Sequence, residues 1–466
     1  MSDTITRGED VTSDLDKKTE PASSLSRSYA DSDRISARRI VQPLQQFLHT
    51  EASGGIVLVL AAAVALIWAN GPFAESYHAF VDHHITIDLG FLVLDESVEH
   101  WINDLLMAVF FFVAGLEIKR ELVHGDLKDP RRAALPIAAA FGGMIIPALL
   151  YVGINLGSEG ANGWGIPMAT DIAFAVGILA LVGKRAPASL RVFLLTLAIV
   201  DDIGAILVIA VFYTSSLNFG WLGAAALAVV AIVVLQRLKV YAIVPYVLLA
   251  AFLWLAVFES GVHATIAGVI LGLLTPAFPL HPPSAVLGLI HDRLTRLRSR
   301  PEDGVADETE QNELENIAVV SRDAVSPLRI WEHRLHPWSA FVILPLFALA
   351  NAGVELSGDS FGALLTDPVP LGVIVGLVLG KPLGVMAASF LVIRSGVAKL
   401  PRGVGWLEMA GVGLLAGVGF TVSIFISGLA FSDPVLVDEA KVGILAASIT
   451  AGILGYTALA ARKTTA

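Results

Sequence analysis

The chain has 466 residues, 55% hydrophobic and only 16% charged, with a mean hydropathy of +0.72. A soluble domain carries about a quarter charged residues, so a soluble globular fold is excluded. The absence of cysteine excludes a disulfide framework and a thiolate metal site. The net charge of −11 gives no basic footprint for a nucleic acid.

Residues 1–40 hold eight acids and seven bases among Ser and Thr, with few large apolar residues. They read as a disordered tail without the apolar core of a cleavable signal peptide. From residue 41 to 462 the chain reads as one transmembrane domain. Its apolar blocks run to roughly 17–25 residues, the length that crosses about 30 Å of hydrocarbon. They centre near residues 61, 110, 142, 173, 202, 228, 250, 269, 345, 381, 418 and 452. That predicts an all-α polytopic membrane protein with twelve transmembrane helices. Basic and base-free connections alternate along the blocks: only Lys441 falls on the second side and only Lys381 inside a span, leaving 29 of the 31 bases on the first. By the positive-inside rule the first side is the cytoplasm, and both termini lie there.

Between the first two blocks, HITIDLGFLVLD (84–95) places two β-rich runs around Asp88-Leu89-Gly90. This predicts a small extracytoplasmic hairpin, able to pair edge-to-edge with a second copy. Residues 280–337 hold ten acids and seven bases and form a long cytoplasmic loop. Its stretch RPEDGVADETEQNELE (300–315) reads as a solvated acidic insertion.

A charge near the bilayer centre costs at least about 2.5–3.5 kcal/mol, so intramembrane charges point to function. Four stand out: Asp171 in PMATDIAFAVGIL, Asp201 and Asp202 in LAIVDDIGAILV, and Lys381 in LVLGKPLGVMAAS. Three acids against one base leave two carboxylates unneutralised. Such carboxylates accept either a small hard cation or protons. Asp202 with Asp171 is expected to take the cation, and protonation of Asp202 and of an Asp201–Lys381 pair to expel it. Neighbouring helix positions lie about 100° apart, so Asp201 and Asp202 face different partners. Two blocks read as interrupted. They are Gly165–Leu181, with Pro167 and Thr170, and Gly403–Leu429, with Gly411, Gly413, Gly417, Gly419, Thr421 and Ser423. Paired interruptions of this kind mark transporters built from inverted repeats. Half-helix ends carry partial charges at the midplane, which Asp171 and Lys381 have the signs to offset.

The strings WINDLLMAVFFFVAGLEIKREL (101–122), PMATDIAFAVGIL (167–179), LAIVDDIGAI (197–206), ESGVHATIAGV (259–269), EHRLHPWSAFVILPLFALANAG (332–353), GKPLG (380–384) and GVGFTVSIFI (417–426) are specific. Through them the chain, over about residues 40–460, resembles the NhaA family of bacterial sodium/proton antiporters. The resemblance implies pH-regulated exchange of Na+ or Li+ for H+ across the bacterial inner membrane, with no enzymatic activity and no cofactor, and the charge arithmetic, two protons per cation, makes that exchange electrogenic. It implies twelve helices with the fourth and eleventh broken and crossed. It assigns Asp201 and Asp202 to the ion site, Thr170 and Asp171 beside them, and Lys381 to a pair with Asp201. It further implies a pH-sensing cluster of Glu117, Arg120, Glu121, Glu332, His333 and His336, and a homodimer joined through the hairpin. By residues alone that cluster is a mixture of charges at helix ends. His263 matches another family position, although a lone histidine beside a helix start reads as structural. The tail and the acidic insertion lengthen the family pattern, and the insertion abuts the sensor cluster.

Other classes fit less well. An intramembrane aspartyl protease would show GxGD rather than ATDI and VDDI, and would leave Lys381 idle. A retinal protein has seven spans. GLVLGKP (376–382) is one residue short of a P-loop and lacks its Ser/Thr. A cation channel or uniporter could use the same acidic site without proton coupling.

Overall fold

The computed structural model describes residues 51–461 apart from 89, 91–92, 215–216, 241, 299–307, 357–361, 363 and 365. The tail expected over residues 1–40 lies outside the described residues. Besides short turns, the elements in chain order begin with α1 (Glu51–Asn70), α2 (Ala74–Val81), β1 (His84–Asp88), β2 (Val93–Ser97), α3 (Val98–Val123) and α4 (Pro130–Asn155). A 3-10 segment (Glu159–Met168) then leads to α5 (Ile172–Val182), α6 (Ala188–Phe212), α7 (Phe219–Arg237), α8 (Ile243–Glu259) and α9 (Thr265–Leu274). Next come α10 (Pro283–Arg298), α11 (Glu308–Asp323), α12 (Pro327–Trp338) and α13 (Leu344–Asn351). The chain ends with α14 (Pro368–Arg394), α15 (Trp406–Ala416), α16 (Phe420–Ala430) and α17 (Pro434–Ala460).

Among the described residues seven helices are long and apolar enough to cross a bilayer, or nine if each of two bent pairs is one span. The helices α8 and α9 are apolar but shorter, at 17 and 10 residues. A π-helical turn at Ser339–Ile343 joins α12 to α13.

Local sequence sets the helix starts. Asp129-Pro130, Ser326-Pro327 and Asp433-Pro434 each place a side-chain acceptor before a proline that needs no N–H partner. Asp129 Oδ1 accepts from Arg131 N at 3.0 Å, Ser326 Oγ from Arg329 N at 3.4 Å and Asp433 Oδ1 from Val435 N at 3.0 Å.

Two of the helices, α17 and α1, turn a row of small residues inward and large apolar ones outward. On α17 Gly443, Ala447, Ala451 and Gly455, four residues apart, are buried, while Ile449 and Ile453 are exposed. On α1 Ala62, Ala65 and Ala69 are buried, whereas Leu60, Val64 and Ile67 are exposed, Ile67 by 73%. Water would not tolerate apolar patches so broad, but hydrocarbon does, and small residues allow helices to pack closely there. α4 and α14 approach closely through glycines: a Cβ on Gly142 would lie 2.2 Å from Gly384 O.

The hairpin forms where the sequence places it. β1 and β2 pair antiparallel from His84↔Ser97 to Asp88↔Val93. Gly90, at φ +80°, makes the turn and donates its N–H to Asp88 Oδ1 at 2.7 Å. β1 is exposed along its length, and β2 buries Leu94 and Ser97. In the segment read as a solvated loop, Glu308–Asp323 is helical, and Arg293 Nη1 meets Glu313 Oε2 at 2.9 Å to tie α11 to α10.

Candidate functional site

Both interruptions read from the sequence are bends. The 3-10 segment meets α5 at 44°, and α15 meets α16 at 46°. The first begins at Glu159, earlier than the glycine at 165, because EGANGWGIPM coils as a 3-10 helix instead of serving as a loop. Each bend exposes backbone groups that the bilayer could not satisfy, and non-helical backbone survives at such depth only when buried in protein.

The two bends satisfy each other. Asp171 N donates to Val418 O at 2.7 Å, and Thr170 Oγ1 to Ala416 O at 2.8 Å. Asp171 caps α5: its Oδ1 accepts from Phe174 N at 3.0 Å. Its Oδ2 accepts from Thr421 Oγ1 at 2.6 Å and Thr421 N at 3.2 Å, at the start of α16. Ser423 Oγ donates to Ile166 O at 2.8 Å. One carboxylate thus faces the N-terminal ends of two half-helices, where its charge is favourable.

Lys381 crosses to this junction from α14, just after a π-helical turn at Val375–Gly380. Its Nζ donates to Met168 O, the carbonyl that ends the 3-10 segment, and to Asp201 Oδ2 at 2.7 Å. Both side chains of the Lys381–Asp201 pair are 0% exposed. A buried pair is weak evidence of stability, because desolvation offsets much of the attraction; its value here is charge balance and placement. Asp201 Oδ1 accepts no hydrogen bond among the described residues. Thr170 stands beside it, with its one hydroxyl proton committed to Ala416.

Asp202 takes the adjacent position on α6 and a different direction. It is 7% exposed and makes no hydrogen bond or ion pair among the described residues. Its charged neighbours are Asp201, Glu117, Asp171 and Lys381. Among the described residues no three His, Asp or Glu side chains could hold a metal ion together, so Asp171, Asp201 and Asp202 are not a preformed triad.

The remaining six residues meet where α3 and α12 pack. Arg120 Nη1 donates to Glu332 Oε1, and Arg120 Nη2 lies 3.5 Å from Glu121 Oε1. Glu121 Oε2 accepts from Asp126 N at 3.1 Å. His336 interacts electrostatically with Glu332, Arg120 and His333. Glu117 interacts with Arg120, Glu121 and Glu332 on one side and with Asp202 on the other, so it bridges the cluster and the α6 carboxylates. His263 precedes α9 and packs edge-on against Phe425, with ring centroids 6.1 Å apart.

Residues 45–459 match the family model described as Na+/H+ antiporter 1. The chain is 50% identical over 417 residues to the Na(+)/H(+) antiporter NhaA of Rhodopirellula baltica, covering 90% of this chain and 93% of that one. It is 48% identical to the Na(+)/H(+) antiporter NhaA of Oleidesulfovibrio alaskensis, with coverage of 90% and 93%. With the protein of that name from Janthinobacterium sp. it shares 47% identity, covering 94% of this chain and 96% of the other.

Proposed function

This chain belongs to the Na+/H+ antiporter 1 family, and on that premise we propose that it exchanges Na+ for H+ across a bacterial cytoplasmic membrane. The observation that carries the reading is Asp202: a buried carboxylate with no hydrogen-bond or ion-pair partner among the described residues, next to a neutral Lys381–Asp201 pair. An unpaired charge at that depth is too expensive to persist, so the group must hold either a cation or a proton. Competition between the two at one carboxylate is the coupling.

In this reading Na+ is the cargo, with Li+ an alternative, and Asp202 is its principal ligand. Asp201 joins as a second carboxylate whose charge Lys381 balances. Asp171 and Thr170 hold the junction of the bends at the edge of the site. Protons on Asp202 and on the Asp201–Lys381 pair replace one cation. That exchange moves one net charge per cycle, worth about 2.3 kcal/mol per 100 mV, and so serves sodium and pH homeostasis. Glu117, Arg120, Glu121, Glu332, His333 and His336, a cluster of acids, bases and imidazoles, set the pH at which the exchanger opens.

The twelve-span arrangement is counted from seven long helices, two bent pairs, α8, α9 and the continuous α12–α13. One bent pair in each half of the chain fits an inverted repeat whose broken helices cross. Residues 41–462 form the antiporter domain, 1–40 a cytoplasmic tail, and 280–337 a cytoplasmic loop. Both termini lie inside, the hairpin outside, and β1 offers the edge through which two copies would pair in the lipid bilayer.

The test is proton movement in proteoliposomes on adding Na+, Li+ or K+. Na+ or Li+ should drive protons the opposite way, faster when an imposed potential favours the net charge movement. Cation entry without proton counterflow would mean passive conduction and overturn the proposal.

A further inference from the structure

The segment Glu159–Met168 is 3-10 helical over ten residues, although that geometry bonds poorly and rarely continues beyond three or four. Its position therefore depends on what grips it. Four side chains do so, each from a different element. Tyr151 Oη of α4 donates to Gly160 O at 2.8 Å, Ser423 Oγ of α16 donates to Ile166 O at 2.8 Å, and Lys381 Nζ of α14 donates to Met168 O. The fourth is Tyr213, the residue that ends α6.

The Tyr213 hydroxyl donates to Asn162 O at 2.8 Å and accepts from Gly165 N at 3.1 Å. One phenol thus engages the segment with both its proton and a lone pair. A Cβ at Gly165 would lie 2.7 Å from that oxygen, so glycine permits the approach. Trp164 stacks on the Tyr213 ring at 6.3 Å and meets Phe212 edge-on at 5.0 Å.

Tyr213 lies twelve residues after Asp201, about 18 Å along the helix. The segment is consequently fixed to α6 at two points. Near the bend, Lys381 links Met168 to Asp201; at the far end, Tyr213 grips Asn162 and Gly165. An intrinsically weak segment with a two-bond catch at its outer end is suited to move when the catch opens.

We propose that Tyr213 is a positioning residue, a latch that holds Glu159–Met168 on the aspartate-bearing helix and closes the base-free side of the site. Release of Asn162 and Gly165, with parting of Trp164 from Phe212, lets the segment swing from α6 and admits ions from that side. The purpose of the latch rests on the exchange reading, whereas the catch itself can be measured without transport.

The chain contains no cysteine, so one introduced thiol is a unique probe. Ile166 is 0% exposed behind the latch, and Ile166→Cys would be labelled by a membrane-impermeant maleimide applied from the base-free side. Adding Tyr213→Phe keeps the ring and its stacking but removes both hydrogen bonds. Labelling should then accelerate about tenfold, and the KM for Na+ on that side should change several-fold with kcat altered less. Gly165→Ala, which displaces the phenol from the opposite side of the contact, should reproduce the faster labelling. Unchanged labelling in both variants overturns the latch. So does labelling that rises equally from both faces, because it signifies general loosening. A native protein that exchanges no Na+ for H+ defeats the exchange reading and leaves the labelling comparison intact.

Discussion

At the junction of the bent spans each side-chain oxygen of Thr170, Asp171, Thr421 and Ser423 has a hydrogen-bond partner. One step away on α6, Asp201 Oδ1 and both oxygens of Asp202 have none among the described residues. Both regions bury carboxylates, and they differ in how far those carboxylates are satisfied. A satisfied buried carboxylate such as Asp171 holds parts together, because another ligand would have to displace existing bonds. One left unsatisfied among the described residues, such as Asp202, is the group to which the proposed exchange falls. The resemblance assigns Asp201 and Asp202 to the ion site and sets Asp171 beside them; under the proposed function their surroundings make Asp171 scaffold and Asp202 carrier.

The largest expected effect tests the carrier side. Asp202→Asn keeps shape and removes the charge that must be neutralised by Na+ or H+. Exchange in proteoliposomes should fall by about a thousandfold, equivalent to roughly 4 kcal/mol, with thermal stability unchanged or slightly higher. Exchange retained within about tenfold of the native rate would return Asp202 to the scaffold class.

Lys381 belongs to both regions, through Asp201 on one side and Met168 O on the other. Lys381→Ala leaves the Asp201 charge buried and uncompensated, which typically costs about 3–5 kcal/mol. The melting temperature in detergent should drop accordingly. Pairing Lys381→Met with Asp201→Asn removes both charges, and most of the loss should return. If the double variant is as unstable as Lys381→Ala, the Met168 contact, not charge balance, is what Lys381 supplies.

The transmembrane blocks were legible because length and apolarity determine them, and the hairpin because Asp88-Leu89-Gly90 supplies a turn between β-rich runs. The four intramembrane charges were legible because burial makes a charge expensive. Thr421 was not singled out as a partner of Asp171. In an apolar helix threonine ordinarily bonds back to the carbonyl four residues earlier, as Thr196, Thr214, Thr275 and Thr450 do here. Only its place at the start of a half-helix separates Thr421 from them. Tyr213 was equally silent, since its two partners are backbone atoms some fifty residues away in a stretch resembling a loop. The Glu117–His336 group was readable only by resemblance, since charges at helix ends are ordinarily solvated.

The scaffold side gives the smallest effect of the three and the sharpest contrast with Asp202. Thr421→Val is nearly isosteric and deletes the 2.6 Å bond to Asp171 Oδ2, leaving the 3.2 Å bond from Thr421 N. A hydrogen bond to a charged group contributes about 1.5–3 kcal/mol, and the surviving N–H bond places the loss toward the lower end. Thermal stability should fall by that amount. The ratio of protons to Na+ should not change, because the carboxylates that bind them are untouched. Stability and exchange rate would decline together, without a new pH optimum. Should Thr421→Val instead alter the stoichiometry at native stability, Asp171 would join Asp202 as a carrier, and hydrogen-bond satisfaction would cease to separate the two regions.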